Sequence, residues 1–464
     1  MCLLVVRGIK VTVILASIQL FTIILLVLFE YHRRSLAVFL WATLLVMFGL
    51  PHTISAVTGV SQYPDYVLNE AALFVVMFNM VYFVSRIFIV GWERTRNRPI
   101  DRIGGNDVRN ACSPLENRLI SVSSVLLWML LVAYFGINHR KFGSLLLTSW
   151  GSLFKMSESV YEFSGFSGFI SYITTYVLFT LGGVLLVHRH KNRSWPFLVT
   201  AILIGIFVLV TRNRITVLPL VTSLIIVVIQ RHKVLRFKDV LKFAVIGLII
   251  VYLVYGLWVF RHYGTFTAFA DSFDFIDFNS RVFEKMLSGE GELGLRNVFY
   301  HFVMYNNQFP DFNKGHTYIR TLMVGIPTRY SFGLKPPDFA RTMYRAHSGN
   351  YFDTITSTHP TLYGDCFANL HWFGILLGVF WALFAGSIDR LVTRKSVVVS
   401  TLLTVLWSCV FVIVGRGSVY NGIYIGYFGS LFITGMYCVT KVSMVMLKGK
   451  ARFKANNEIR ANRV

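Results

Sequence analysis

The sequence predicts an all-α polytopic integral membrane protein, and three observations support this fold class. Hydrophobic residues make up 55% of the 464 residues and charged residues only 14%, and the mean hydropathy is +0.59. Apolar stretches of roughly twenty residues recur along the chain, which is the length a membrane-spanning helix needs. Short basic clusters separate these stretches. A soluble globular chain and a disordered chain are therefore excluded, and a β-barrel would instead show alternating strands.

The apolar stretches predict about eleven transmembrane helices. The predicted spans are 10–29, 36–56, 70–90, 119–137, 168–187, 195–211, 215–230, 243–260, 370–388, 397–414 and 423–441. No small-residue cleavage site follows the first span, so we expect it to be retained rather than removed as a signal peptide. The predicted organisation is eight spans over 1–260, a large extracytoplasmic loop over 261–369, three spans over 370–441 and a basic cytoplasmic tail over 442–464.

The distribution of Lys and Arg sets the predicted orientation, because these residues collect on the cytoplasmic side. The arginine-rich segment 93–118 and the tail after 441 are therefore expected inside. The spans can be counted forward from segment 93–118 or backward from the tail. Both counts assign every loop to the same side of the membrane only if 195–230 crosses it twice, which places the tip at Arg212 and Arg214 outside. The formal net charge of +23 is accordingly interpreted as a topology signal and not as a sign of nucleic-acid binding.

The 261–369 loop is rich in Tyr, Phe, Asp, Asn, His and Arg. Loops of this length are usually functional or disordered, and the aromatic content favours order. We expect short helices lying on the membrane surface in runs such as Gly291 to Met304 and Ile319 to Pro327. Four tyrosines would lie at the headgroup level or stack on sugar rings, namely Tyr300, Tyr305, Tyr318 and Tyr330. The alternative is a passive covering loop.

Several cations lie on the predicted outer side, against the usual basic-inside tendency. Three occupy short external turns and three belong to the long loop: Arg212, Arg214 and Arg416, then Arg320, Arg329 and Lys335. A single arginine at a helix end ordinarily extends to a lipid phosphate. A group of them suits an oxygen-rich anion such as a pyrophosphate. We therefore expect Arg212, Arg214, Arg329 and Arg416 to converge on one outer cavity, which for Arg212 and Arg214 requires a non-helical turn.

The remaining motifs predict no metal and no cofactor. The five cysteines are scattered without a CxxC pair, so neither a disulfide framework nor a zinc site is expected. Asp271, Asp274 and Asp277 recur every three residues and are interpreted as a solvated helical face rather than a metal site. The run 289–294 fits GxGxxG but follows no strand, so it is interpreted as a turn.

Motifs over about 210–420 resemble those of a known family. They are Gly315-His316-Thr317-Tyr318, Ile326-Pro327-Thr328-Arg329, Lys335-Pro336-Pro337, Ser357-Thr358-His359-Pro360-Thr361, Gly364-Asp365, Asn369 and Gly374, with the Arg212–Thr216 hairpin and Arg416-Gly417. In their order and loop placement they are similar to the Wzy-type O-antigen polymerases, which polymerise oligosaccharide repeat units. The sequence departs from that family at His371 and Trp372, which are inserted where many members have an aromatic residue next to Gly.

The resemblance implies a multi-pass glycosyltransferase of GT-C-like architecture in the bacterial inner membrane, with its active site facing the periplasm. Such an enzyme joins oligosaccharide repeat units carried on undecaprenyl pyrophosphate into a long surface polysaccharide such as the O-antigen of lipopolysaccharide. Its expected partners are the lipid-linked glycan donor and acceptor, membrane lipid and a chain-length regulator protein, and not nucleic acid.

The residues fit this chemistry in three groups. Fixed cations would stabilise the charge that develops on the leaving diphosphate, and these are Arg212, Arg214, Arg320, Arg329 and Arg416. The acceptor hydroxyl needs a base within hydrogen-bond reach, for which the candidates are His316, His359 and Asp365. The expected substrate-binding residues are Lys335, Tyr318, Tyr330, Asn369 and Tyr420.

Two other functions compete with polymerisation. An O-antigen ligase of the same superfamily also needs outer arginines and a large loop with His. A non-enzymatic carrier or flippase of lipid-linked sugars would place ionisable residues at mid-span and show two related halves. The spans contain few charged residues, and Arg86 is the one that comes nearest to a buried mid-span charge. No convincing internal repeat is visible.

Overall fold

The computed structural model consists of helices joined by turns and irregular segments over the residues that it describes. These are 11–59, 61–95, 113–143, 166–211, 214–231, 266–288, 294–310, 315–353, 356–393 and 396–461, with Tyr252, Gly256, Val259 and Phe312. Eight helical segments within these ranges are long and apolar enough to cross a membrane. They are Val11–His32, Val38–Thr58, Asp65–Gly91, Pro114–Ile137, Tyr172–His190, Thr361–Thr393, Val397–Gly415 and Val419–Met446. The predicted multi-pass helical membrane fold is therefore confirmed.

The α-helices are numbered in chain order. They are α1 (Val11–His32), α2 (Val38–Leu44), α3 (Leu50–Thr58), α4 (Asp65–Thr95), α5 (Pro114–Gly143), α6 (Phe166–Leu181), α7 (Val184–His190), α8 (Ser194–Thr211), α9 (Leu218–Arg231), α10 (Phe266–Ser272), α11 (Phe275–Ser288), α12 (Leu295–Met304), α13 (His316–Leu322), α14 (Phe339–Ser348), α15 (Thr361–Leu370), α16 (Leu377–Thr393), α17 (Val397–Gly415) and α18 (Val419–Ala461). A π-helical turn, Leu45–Gly49, joins α2 to α3, and 3-10 turns occupy Arg214–Val217, Thr328–Tyr330 and His371–Leu376.

The structure differs from the predicted spans in three places. The predicted spans 195–211 and 215–230 correspond to shorter apolar helices, Ser194–Val208 and Ile215–Ile229. The predicted span 243–260 lies almost wholly outside the described residues. The helix expected to begin at 370 already begins at Thr361 and continues through a 3-10 turn into α16.

An aromatic cluster in the bundle core holds α15 against the first helices. The ring of Tyr363 lies 5.4 Å from that of Phe48 and 5.5 Å from that of Phe78. The ring of Phe367 lies 5.3 Å from that of Phe74. These edge-on contacts between buried rings are favourable beyond their burial alone. The end of the predicted 261–369 loop, which forms most of α15, is thereby fixed inside the bundle.

Polar contacts define two ends of the bundle. At the loop end, the Nδ1 of His52 lies 2.6 Å from the hydroxyl of Tyr300, so α12 of the long loop packs on α3. At the opposite end, Asp389 of α16 accepts hydrogen bonds from the hydroxyl of Ser35 and the amide of Leu36. The guanidinium carbon of Arg320 in α13 lies 4.5 Å from the ring centroid of Tyr420 at the start of α18. The 294–353 segment and the turn between α17 and α18 therefore lie at the same end.

A buried ion cluster ties three helices together at the opposite end. Arg86 of α4 donates to Glu30 of α1 at 2.9 Å and also forms an ion pair with Asp389 of α16. The hydroxyl of Tyr82 donates to Glu30 at 2.7 Å, and Arg86 also donates to the hydroxyl of Ser35. Burying charges is costly unless each is paired and hydrogen-bonded. The cluster meets this condition because each of the three groups has an opposite charge beside it.

Candidate functional site

The turn between α17 and α18 presents Arg416 at the loop end. Arg416 closes α17 with helical backbone angles, and Gly417 follows with a φ of 100°. The amides of Gly417 and Ser418 donate to the carbonyls of Val414 and Ile413 at 2.8 Å and 3.1 Å. This is the pattern with which helices commonly end on a left-handed glycine. The local sequence Arg-Gly therefore fixes the turn.

The same turn is docked against the beginning of α15. A Cβ atom on Gly417 would lie 2.6 Å from the backbone nitrogen of Thr361, so only glycine fits. The amide of Thr361 donates to the carbonyl oxygens of both Arg416 and His359, at 3.1 Å each. This contact brings a predicted cation, Arg416, next to a predicted base, His359.

The imidazole of His359 is held neutral by its surroundings. Burial, together with the nearby positive charge of Arg416, lowers the pKa of His359 to about 3. At neutral pH the ring is therefore uncharged and has one nitrogen able to accept a hydrogen bond. Of the three candidate bases, His359 is the one that lies within electrostatic reach of a predicted phosphate-binding cation.

The ring of Tyr420 lies close to two further predicted cations. Tyr420 is the second residue of α18, and the guanidinium carbon of Arg320 lies 4.5 Å from its ring centroid. The ammonium nitrogen of Lys335 lies 5.6 Å from the same centroid. Both distances are within the range of cation–π attraction. The structure thus brings together two cations from the long loop at the first turn of α18.

Backbone carbonyls, rather than carboxylates, hold these two cations in place. Arg320 donates to the carbonyl oxygen of Pro336 at 2.6 Å, and Lys335 donates to that of Ile326 at 2.7 Å. The Nε of Arg320 is buried and has no hydrogen-bond partner within the described part of the chain, and Lys335 is only 8% exposed. Among the described residues, neither cation forms an ion pair. Within the described ranges, no carboxylate therefore neutralises their positive charges.

Asp365 and Asn369 lie one turn apart in α15 and form a buried network with Thr317. The side-chain oxygen of Asn369 accepts from the Thr317 amide at 3.0 Å. The Thr317 hydroxyl donates to Asp365 at 3.3 Å, and the Asn369 amide donates to the other Asp365 oxygen at 3.2 Å. Because all three residues are buried, this network fixes the start of α13, the helix that carries Arg320.

The other predicted residues of the long loop lie in different surroundings. The hydroxyl of Tyr318 lies 3.2 Å from the sulfur of Cys366, and burial together with Cys366 raises the pKa of Tyr318 well above its usual value. Burial also lowers the pKa of His316, whose ring lies 6.1 Å from that of Phe339. Arg329 and Tyr330 are exposed in the 3-10 turn Thr328–Tyr330.

The two arginines of the predicted outer hairpin are only partly described by the structure. Arg212 lies outside the described residues, as does the side chain of Arg214. The backbone of Arg214 begins a 3-10 turn after α8 has ended at Thr211, so the two helices are not continuous. This turn contacts α6, and Tyr176 of α6 packs 5.5 Å from Tyr424 of α18. The turn therefore adjoins α6, which packs against α18, the helix that carries Tyr420.

The sequence reasoning missed a second buried polar group at the loop end. Arg296 of α12 is buried and donates to the hydroxyl of Ser55 at 3.3 Å. One turn later, Tyr300 contacts His52, and burial raises the pKa of the Tyr300 hydroxyl. The sequence did contain a signal for this group, because Arg296 is a charged residue within the apolar run of α12. No group of three or more His, Cys, Asp or Glu side chains suited to a metal occurs in the described part of the chain.

Comparison with known proteins gives no significant match to a family model, a curated protein or a solved structure.

Proposed function

We propose that this chain is a glycosyltransferase that polymerises oligosaccharide repeat units carried on undecaprenyl pyrophosphate. In this proposal the chain crosses the bacterial inner membrane eleven times in a GT-C-like arrangement, and the loop end faces the periplasm. The donor and acceptor are both lipid-linked glycans, and a chain-length regulator protein is a further partner. The product is a long surface polysaccharide such as an O-antigen.

The observation that supports this proposal is the group of cations at the start of α18. Arg320 and Lys335 pack on Tyr420, and Arg416 lies in the turn that precedes this residue. A diphosphate brings several negatively charged oxygens, which guanidinium and ammonium groups bind well. Because α18 is apolar from Val419 onward, such a headgroup would be bound where the hydrocarbon tail remains in lipid.

The proposed reaction is a displacement at the anomeric carbon of the donor sugar. The acceptor hydroxyl forms the new glycosidic bond while the bond to the diphosphate breaks and its electron pair leaves with the phosphate oxygen. Fixed cations stabilise this charge more in the transition state than in the ground state. The proton of the hydroxyl passes to His359. A diphosphate bound beside Arg416 offsets that cation's charge, which raises the affinity of His359 for the proton.

The decisive experiment uses purified protein in lipid nanodiscs with lipid-pyrophosphate-linked repeat units. We expect a product ladder that grows by whole units on one carrier lipid. Replacement of Arg320, Lys335 or Arg416 by Ala should abolish the ladder, and Lys at the arginine positions should restore it only in part because the bidentate fork is lost. Arg341→Ala is the matched control, since Arg341 is an exposed arginine of α14 in the same loop.

The outcome also separates the competing functions. Transfer of the glycan only to lipid A core would indicate a ligase. Movement of the lipid-linked glycan across a bilayer without a new glycosidic bond would indicate a flippase. Normal ladders from both the Arg320→Ala and Arg416→Ala proteins would contradict the proposed role of the cations.

A further inference from the structure

An exposed apolar segment lies in the long loop beside α18, and the proposed chemistry does not use it. It comprises residues 319–334, called here the 319–334 segment. Large apolar side chains are exposed along its whole length: Ile319, Leu322, Ile326, Tyr330, Phe332 and Leu334. Leu322 is 82% exposed and Phe332 is 94% exposed. A contiguous apolar surface of this kind is typical of a contact with a protein or a membrane.

The segment runs along α18 away from Tyr420 and then comes back to it. Near its start, Arg320 lies against Tyr420 in the first turn of α18. Further on, a Cβ atom on Gly325 would lie 3.3 Å from the hydroxyl of Tyr427. Tyr427 follows Val419 by eight residues, which is about 12 Å along a helix axis. The chain then comes back to Lys335, which is again beside Tyr420. The tip of the segment therefore lies beside the apolar part of α18.

The face of α18 that the segment adjoins is itself exposed and apolar. Tyr427 and Leu431 are both exposed and, being four residues apart, lie on one side of the helix. Both belong to the candidate membrane span Val419–Met446. The exposed surface of the segment thus continues a surface that faces lipid in a membrane-spanning helix.

Turns within the segment pair part of its own backbone. Successive turns pair the amides of Val324, Ile326, Tyr330, Ser331 and Leu334 with carbonyls three residues earlier, at 2.9–3.2 Å. The carbonyl of Ile326 also accepts from Lys335. Irregular backbone is tolerated near the hydrocarbon only when its polar groups are satisfied internally. This pattern favours a position at the boundary between lipid headgroups and acyl chains.

The returning part of the segment contains an unusual conformation. Phe332 has a φ of 49° and Gly333 a φ of 79°, so a bulky aromatic residue occupies the left-handed region that normally favours glycine. Its side chain is directed away from the protein. The neighbouring Arg329 is exposed as well, and an arginine among apolar side chains suits the phosphate level of a bilayer.

We propose that the 319–334 segment is an interfacial membrane anchor whose apolar side chains insert into the leaflet at the loop end. Phospholipid is its partner: the acyl chains contact Leu322, Phe332 and Leu334, and the headgroup phosphates contact Arg329. This anchoring holds Arg320 and Lys335 at the level of the lipid phosphates. The inference depends only on the position of the segment and holds whether or not the chain is an enzyme.

The test measures where a fluorescent label at Phe332 lies. Cys2, Cys112 and Cys438 are replaced by Ser, which leaves the buried Cys366 and Cys409, and Phe332→Cys is labelled with an environment-sensitive dye. The matched control is Phe352→Cys, because Phe352 is 96% exposed but follows the exposed polar residues 348–350. Both proteins are placed in nanodiscs of phosphatidylcholine and phosphatidylglycerol, with and without brominated acyl chains.

We expect bromine to quench the label at Phe332 several-fold more than the label at Phe352, and aqueous iodide to show the reverse order. A second position, Leu322→Cys, should behave like Phe332. Iodide quenching at Phe332 equal to that at Phe352 would overturn the proposal. Protection of the Phe332 label from both quenchers would indicate that a second copy or another protein covers the segment, and would also overturn it.

Discussion

The amide of Thr361 donates a hydrogen bond to the carbonyl oxygen of Arg416 at 3.1 Å. This single bond joins the turn between α17 and α18 to the point where the long loop re-enters the bundle. Thr361 itself has a φ of 60°, which is uncommon for a β-branched residue and needs support from its surroundings. The junction therefore determines how Arg416 and His359 approach each other.

Replacing Gly417 by Ala should disrupt this junction. The new Cβ would lie 2.6 Å from the nitrogen of Thr361, at a φ of 100°. We expect a loss of about 1–3 kcal/mol in the free energy of unfolding, measured by thermal denaturation in detergent. Gly435→Ala is the matched control, since no atom lies within 4 Å of the position that its Cβ would occupy, and it should be neutral or stabilising. Equal stability of the two variants would contradict the tight contact.

The network of Asp365 predicts different outcomes for two substitutions. Asp365→Ala removes the acceptor for both Thr317 and Asn369 and should cost about 1–3 kcal/mol. Asp365→Asn keeps the shape and one acceptor oxygen, so we expect nearly normal unfolding and retained glycosyl transfer. An Asn variant that folds normally but forms no product would instead show that Asp365 is the catalytic base.

Cation–π contacts between the ring of Tyr420 and the two loop cations, Arg320 and Lys335, should restrain the long loop. Tyr420→Phe keeps the ring beside Arg320 and Lys335, whereas Tyr420→Leu removes an attraction of about 0.5–2 kcal/mol. We expect the Leu variant, and not the Phe variant, to be cut faster by trypsin after Arg329 in detergent. Equal cleavage of both variants and the wild type would show that the ring does not restrain the loop.

Comparison of the sequence predictions with the structure shows which features depend on local patterns. Hydropathy located the apolar helices, but it placed the start of one span at 370 instead of Thr361, because Asp365 and Asn369 lower the hydropathy of a buried helix. Loop placement suggested that Arg320 and Lys335 bind the same diphosphate, yet the sequence did not show that both lie against the ring of Tyr420. Arg86 was visible as a buried charge, whereas its partner Asp389 is 303 positions away and leaves no local signature.

Acid should destabilise the protein through His359. Its pKa is about 3 in the folded chain and about 6.5 in an unfolded one, so between these values the unfolded state binds more protons. Stability is therefore full above the higher pKa and falls as the pH decreases through this window. His359→Gln should remove this part of the dependence, seen as a smaller drop in unfolding temperature between pH ~7.5 and pH ~5.

The control for this pH effect is a histidine far from the junction. His32 is exposed at the opposite end of the bundle, so His32→Gln should retain the wild-type dependence. If His359→Gln and the wild type lose the same stability on acidification, the folded chain does not hold His359 as a neutral ring.

The ion cluster at the opposite end should be indispensable to the bundle while making no contact with the loop end. Arg86→Met would leave Glu30 and Asp389 buried together without a counter-charge, which costs about 3–5 kcal/mol. Adding Glu30→Gln and Asp389→Asn removes both charges and should recover most of the stability. For comparison, Arg281 pairs with Asp277 while 54% exposed, and Arg281→Ala should cost at most about 1 kcal/mol. Thermal denaturation of the single, triple and control variants tests this order of stabilities. If the triple variant is no more stable than Arg86→Met, lost packing and not unpaired charge causes the defect.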